Sequence, residues 1–96
     1  TEPVDYRVTF DFVLEGSQSR EYRIYLIKDS GGVLTTEFTQ LRTIDRLSGG
    51  RDVSYFTGTF GLELNENDFI YWEVENISGS QNCTIELDSQ FLIEER

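Results

Sequence analysis

The stretch VDYRVTFDFVL, residues 4–14, decides the fold predicted for this chain. Its even positions are all apolar, from Val4 to Leu14, while the odd positions up to Asp11 are Asp, Arg, Thr and Asp. Because successive side chains of a β-strand point to opposite faces, this alternation predicts a long strand with one buried face.

The rest of the chain continues the β pattern between turns rich in Gly, Ser, Asn and Asp. Further strands are predicted at Arg20–Lys28, Val33–Phe38, within Thr39–Arg51 before a mobile loop, and at Asp52–Leu64, Phe69–Asn76 and Asn82–Glu94. Gly31 and Gly32 permit positive φ and predict a tight hairpin turn. The strand over Asp52–Leu64 is either continuous or bent at Gly58 or Gly61, and irregular phase near Ser89 predicts a bulge.

The fold class predicted is all-β, an antiparallel β-sandwich of seven to eight strands, because helical spacing of apolar residues is absent. A chain of 96 residues is expected to form one domain over 1–96. The strand Arg20–Lys28 is apolar on both faces, so it is central, or its second face meets a neighbouring subunit. An immunoglobulin-like sandwich is the rival, but the cysteine pair around the tryptophan is missing.

Composition excludes several function classes. The chain has 8 basic and 18 acidic residues, a net charge of −10, and no histidine. Histidine-dependent catalysis is therefore excluded, and no catalytic, cofactor-binding or metal-binding residue is predicted. The negative charge disfavours nucleic acid and anionic lipid as partners, and no apolar run approaches the ~20 residues of a membrane span.

Two passages resemble C1q/TNF-like jelly-roll domains. LELNENDFIYWEVEN, residues 62–76, is similar to their L-x-L-x-x-G-D-hydrophobic passage, with Asn67 in place of the glycine. YRIYLIKDSGGV, residues 22–33, is similar to their hairpin of a hydrophobic strand, Lys-Asn/Asp-Gly and a second strand. The short, acidic chain, ending on LIEER, looks most like the knobs of bacteriophage fibres and tail needles and like capsid decorations.

The resemblance implies a homotrimer in which each jelly roll turns one sheet toward a threefold axis. It implies a non-enzymatic domain on the external surface of a virion, standing alone or as the C-terminal part of a longer fibre protein. Its partner would be a host-surface receptor, glycan or protein, or the viral capsid. Two alternatives remain: a monomeric carbohydrate-binding module, and a secreted, extracellular C1q/TNF-like ligand.

A subunit interface is predicted from aromatic residues that lie opposite the core-facing positions of two strands. An oligomer would bury such a second apolar face, whereas a monomer has little use for it. The interface candidates are Tyr25, Ile27, Phe69, Tyr71 and Glu73. In a trimer, Glu73 and Glu75 must stay solvated or paired near the interface.

A separate ligand-contact loop is proposed at Arg51, Asp52 and Tyr55, where an aromatic ring beside polar groups could stack on a sugar. Cross-strand packing is the simpler interpretation of that tyrosine. The oxygen-rich turn from Glu63 to Asp68 lacks the spacing of a calcium loop and reads as solvated residues. Asn76-Ile77-Ser78 and Asn82-Cys83-Thr84 match the glycosylation pattern, which matters only for a secreted eukaryotic protein.

Overall fold

The protein is described by a computed structural model over residues 2–15, 21–43, 45–46, 52–77, 84–85 and 89–96. These residues form strands and turns, with no helix of a length and apolarity that could cross a membrane. The strands are β1 (Val4–Glu15), β2 (Glu21–Ser30), β3 (Val33–Thr43), β4 (Asp45–Arg46), β5 (Asp52–Leu64), β6 (Phe69–Asn76), β7 (Thr84–Ile85) and β8 (Gln90–Glu95). The all-β prediction is confirmed. The predicted count of seven to eight strands is not, because β4 and β7 are two-residue pairings and six strands are longer.

The strands form two antiparallel sheets. In the β1 sheet, β5 pairs with one edge of β1, β4 adds outside β5, and β7 and β8 pair with successive parts of the other edge of β1. In the β2 sheet, β2 lies between β3 and β6. The central position expected for the second strand is therefore confirmed.

The core lies between the sheets and is rich in aromatic rings. The inward side chains of β1 and β5 meet those of β2, so that Phe10, Phe56, Tyr22 and Leu26 are all buried. The Trp72 ring from β6 packs among them, 5.2 Å from Phe10 between centroids. Aromatic residues bury large areas and pack edge to face, which lets a short chain fill its core.

One side of the sandwich is closed where β3 lies over β5. The rings of Phe38 and Phe60 stack with centroids 4.4 Å apart, and the Gln40 side-chain amide donates a 3.0 Å hydrogen bond to the Thr57 carbonyl. On the opposite side, β6 and β8 are the outer strands of their sheets within the described residues. Among the described residues, contacts between the two sheets therefore cover the β3–β5 side but not the β6–β8 side.

Two turns have the conformations that their sequences predict. Gly31 and Gly32 both have positive φ, +60° and +91°, and the Gly32 N–H donates to Asp29 Oδ1. Positive φ at both central residues is the conformation that matches the twist of a two-residue hairpin. Asn67 also has positive φ, +69°, at the place where the resemblance would have a glycine.

Two predicted segments differ from the structure, and a third takes one of its two predicted forms. Strand β3 continues to Thr43, past the predicted end at Phe38, because β2 is long enough to pair with it throughout. Strand β5 is continuous rather than bent at Gly58 or Gly61, since β1 pairs with Val53–Leu64 without a register shift. The C-terminal strand is interrupted: between the Asp11–Gln90 and Leu14–Ile85 pairs, β1 advances three residues and its partner five. A register change near Ser89 is thus confirmed, and the Ser89 hydroxyl bonds to the Val13 backbone there.

Candidate interaction site on the outer face of the β2 sheet

The outer face of the β2 sheet is built from alternate residues of its three strands. Register places one residue from each strand side by side, and side chains directly opposite each other interact across strands. The four rows, in the order β3, β2, β6, are Leu41–Arg23–Glu75, Thr39–Tyr25–Glu73, Thr36–Ile27–Tyr71 and Leu34–Asp29–Phe69. We call these twelve residues the outer face.

All five predicted interface residues lie on this outer face. Tyr25 and Ile27 come from the central strand, and the other three come from β6. Phe69 is 69% exposed and Tyr71 is 38% exposed, whereas Ile27 is already buried between its neighbours. The structure therefore brings the five residues together on one surface.

The outer face of the β1 sheet is more polar. Its β1–β5 rows pair Asp5 with Glu63, Thr9 with Thr59 and Asp11 with Thr57. Arg7 of β1 forms a 3.0 Å ion pair with Glu94 of β8 on the same face. Contiguous exposed apolar surface is characteristic of interaction sites, so the β2 sheet is the better candidate for contact with a partner.

The acidic end of the outer face holds a shallow, open depression of about 450 Å³. Its lining includes Tyr25, Glu73 and Glu75. The Tyr25 hydroxyl donates a short hydrogen bond to Glu75 Oε1. That bond holds the proton on the phenol and raises the pKa of Tyr25 above its ordinary value, while Arg23 acts in the opposite direction.

In the oxygen-rich turn before β6, the Asp68 side chain and backbone form hydrogen bonds within the turn. Asp68 Oδ2 accepts the Asn65 N–H at 2.8 Å, and the Asp68 N–H donates back to the Asn65 carbonyl at 3.2 Å. A hydrogen bond from Ser30 contributes most to lowering the pKa of Asp68, followed by that from the Asn65 backbone. The carboxylate thus ties the β5–β6 turn to the end of β2. Among the described residues no group of three acidic or sulfur ligands is placed to hold a metal.

The proposed ligand-contact loop is only partly described. Arg51 lies outside the described residues, and Asp52 is the first residue of β5. Tyr55 is 53% exposed and pairs with Val13, so it lies within a strand on the outer face of the β1 sheet. It is on the opposite side of the molecule from Tyr25 and Tyr71.

The structure describes Asn76, the asparagine of the first glycosylation match, but not Asn82, the asparagine of the second. Asn76 is half-buried on the inward side of β6, paired with Tyr22 of β2. An inward asparagine in a sheet is a poor acceptor for a bulky glycan. Asn82 lies outside the described residues.

Sequence reasoning missed the contribution of β3 to the outer face. Leu34 and Leu41 are both exposed there. Counting back from the two-residue turn would have paired Leu34 with Asp29. Leu41 could not be placed in this way, because β3 contains one extra residue, Glu37, opposite the step from Leu26 to Ile27.

The two sheets and their shared core define an all-β domain of the β-sandwich kind. Comparison with protein-family models, with curated proteins and with solved structures finds no match.

Proposed function

We propose that this chain is a non-enzymatic β-sandwich domain that forms a homotrimer through the outer face of its β2 sheet. The observation that carries the proposal is the outer face itself, where Phe69, Leu34 and Tyr71 expose apolar surface in adjacent rows. Interfaces are enriched in aromatic residues at their centres and tolerate charge at their rims. Glu75 lies in the row at the far end of the sheet from Phe69, as a rim position requires.

The wider setting of the proposal is the external surface of a virion. There the trimer acts as a jelly-roll fibre knob, needle knob or capsid decoration that contacts a host receptor or the capsid. Support comes from the resemblance of residues 22–33 and 62–76 to C1q/TNF-like domains. One strand pairing agrees with it, because the first strand pairs with the last, as in a chain folded back on itself. Three copies would also bind a multivalent surface with raised avidity.

The oligomeric state tests the proposal. We expect light scattering, coupled to size exclusion, to give three times the mass of one chain at micromolar concentration. Tyr71→Ser removes an aromatic ring from the outer face and should shift the protein toward monomer, since buried aromatic anchors often contribute about 2 kcal/mol or more to an interface. Tyr55→Ser is the matched control, because it removes the same ring from the other sheet.

Two results would contradict this proposal. One is a monomer at every concentration up to the solubility limit. The other is a trimer that Tyr55→Ser weakens and Tyr71→Ser leaves intact, because the interface would then lie on the β1 sheet.

A monomeric carbohydrate-binding module is the second candidate, favoured by the depression beside Tyr25, Glu73 and Glu75. A tyrosine ring can stack on a sugar face while carboxylates accept hydrogen bonds from its hydroxyls. The two candidates use the same face, so a trimer would cover the depression. Glycan-array binding by a monomer, lost in Tyr25→Ser and retained in Tyr55→Ser, would establish this second function instead.

A further inference from the structure

We infer that the edge of β6 away from β2, called the free edge because no described strand pairs with it, is a docking site for an extended basic peptide, which adds to the β2 sheet as a fourth strand. The inference uses the backbone of β6 and the side chains on either side of it. The backbone edge of β6 takes no part in the proposed trimer, which uses the outer face, and the two proposals share only the side chains of Glu73 and Glu75.

The hydrogen-bond pattern shows which backbone groups of β6 are available. The Ile77 N–H donates to the Glu21 carbonyl at 2.8 Å, so that pair is a hydrogen-bonded one. In an antiparallel ladder such pairs alternate, and the β2–β6 register is unbroken. The odd-numbered residues of β6 therefore turn their N–H and C=O groups toward β2. Those of Ile70, Trp72 and Val74 point to the free edge, where no described strand pairs with them.

Apart from its two glutamates, this edge lacks the features that usually prevent strand addition. Native edge strands are commonly protected by charged side chains, above all lysine, and by proline, a bulge or short length. Strand β6 has eight residues, contains neither lysine nor proline, and pairs with β2 without a bulge. By contrast, β3 at the other edge of the sheet carries the bulge at Glu37, and its side of the sandwich is closed by the Phe38–Phe60 stack.

The inner side of the edge offers apolar surface. Trp72 points inward from β6, and its ring centroid lies 6.0 Å from that of Phe91 on β8. Phe91 faces the core through its pairing with Phe10, yet it is 46% exposed. A strand added beside β6 would place alternate side chains over these two rings, so aliphatic residues suit those positions.

The outer side of the edge is acidic. Glu73 and Glu75 are exposed on the outer face of β6, and the whole chain carries −10. The outward side chains of an added strand would lie beside these carboxylates, which favours lysine or arginine at those positions. A second copy of β6 would instead bring its own pair of glutamates to the edge. Charge therefore selects a peptide that alternates aliphatic and basic residues.

Amide hydrogen exchange followed by NMR tests the inference residue by residue. The probe is a capped eight-residue peptide of alternating lysine and valine, with a glutamate–valine peptide as its charge control. In the protein alone, the amides of Ile70, Trp72 and Val74 should exchange faster than those of Tyr71 and Glu73. Saturation with the lysine peptide should slow hydrogen exchange at the three edge amides by about tenfold or more. The glutamate peptide should leave their exchange rates unchanged.

A proline variant removes one edge donor while sparing the ladder with β2. Val74→Pro deletes an N–H that faces the free edge, where proline is tolerated. The variant should bind the lysine peptide with an affinity about tenfold lower than that of the wild-type protein. Val74→Ala is the matched control, because it loses side-chain volume but keeps the N–H. Fluorescence of Trp72, the one tryptophan of the chain, reports binding in both variants.

Three results would overturn the inference. The edge amides could already be protected in the protein alone, which would mean that the edge is covered. Their protection could rise with protein concentration without any peptide, which would make the occupant a second copy. The lysine peptide could also leave exchange unchanged at about millimolar concentration, well above the range of specific binding. These measurements use wild-type protein, so they decide the matter even if Val74→Pro does not fold.

Discussion

At the residue scale, two glycines of β5 show how the same residue type serves different purposes on the two faces of one strand. Gly58 pairs with Phe10 and faces the core, where an added Cβ would lie 3.0 Å from the Phe10 ring. Gly61 faces outward, where an added Cβ would meet only the end of the Arg96 side chain, 3.3 Å away. Phe10 is held by rings on several sides and cannot move aside, whereas Arg96 can.

We therefore predict that Gly58→Ala destabilises the protein by about 1–3 kcal/mol, the usual cost of overpacking a core. Gly61→Ala should change stability by less than about 0.5 kcal/mol, or raise it slightly, because alanine restricts the unfolded chain. Urea denaturation of both variants measures the difference. Equal destabilisation would mean that the ring of Phe10 is not fixed in the way described.

The hydroxyl of Tyr25 carries a second prediction. Its hydrogen bond to Glu75 raises its pKa, so the bond stabilises the fold below the ordinary tyrosine pKa of about 10 and is lost as pH rises through the raised value. Carbon-13 NMR titration of the tyrosine rings should show Tyr25 titrating at higher pH than a solvated tyrosine. Glu75→Ala should lower its pKa, and Glu73→Ala, on the same strand and face, should have a smaller effect. A pKa of Tyr25 that does not respond to Glu75→Ala would show that the hydrogen bond does not hold the proton.

At the scale of the strands, alternation predicted where strands run and which face is buried, but not how they pair. Phe69–Asn76 was predicted with the observed bounds, because a turn precedes it and its apolar residues alternate without a break. The pairing of β1 with β5 and β8 could not be predicted, since alternation carries no information about a distant partner. The interface residues of β2 and β6 were predicted together because both strands have apolar residues on both faces. That β2 and β6 lie next to each other follows only from the order of strands in the sheet, which alternation does not predict.

The β2–β3 hairpin gives a prediction about a turn rather than a side chain. Neither Gly31 nor Gly32 has an atom within 4 Å of an added Cβ, so only φ limits substitution. Gly31 at +60° lies in the left-handed region that asparagine tolerates, so Gly31→Asn should be nearly neutral. Gly32→Val places a β-branched residue at a φ of +91° and should lower the free energy of unfolding by about 1–2 kcal/mol. Thermal unfolding compares the two, and a Gly32→Val protein as stable as Gly31→Asn would argue against the two-residue turn.

At the scale of the whole molecule, net charge opposes assembly. Three copies, each at −10, bring about thirty negative charges together in the proposed trimer. The Debye length falls from about 10 Å at 0.1 M salt to about 3 Å at 1 M. Added sodium chloride should therefore strengthen the trimer, and sedimentation equilibrium at both concentrations measures the change. Weaker association at high salt would point to an interface held by ion pairs rather than by the apolar outer face.

The position of β1 has a consequence for how the chain folds. Strand β1 is synthesised before the other strands, yet its partners are β5, β7 and β8, which begin at Asp52, Thr84 and Gln90. Pairings between residues so far apart in sequence are slow to form, because the intervening chain must be ordered before the contact stabilises anything. On the ribosome, much of the second edge of β1 stays unpaired until β8, which ends at Glu95, has emerged. A chain that stalls earlier would expose that edge, where the strand of another chain could pair with it.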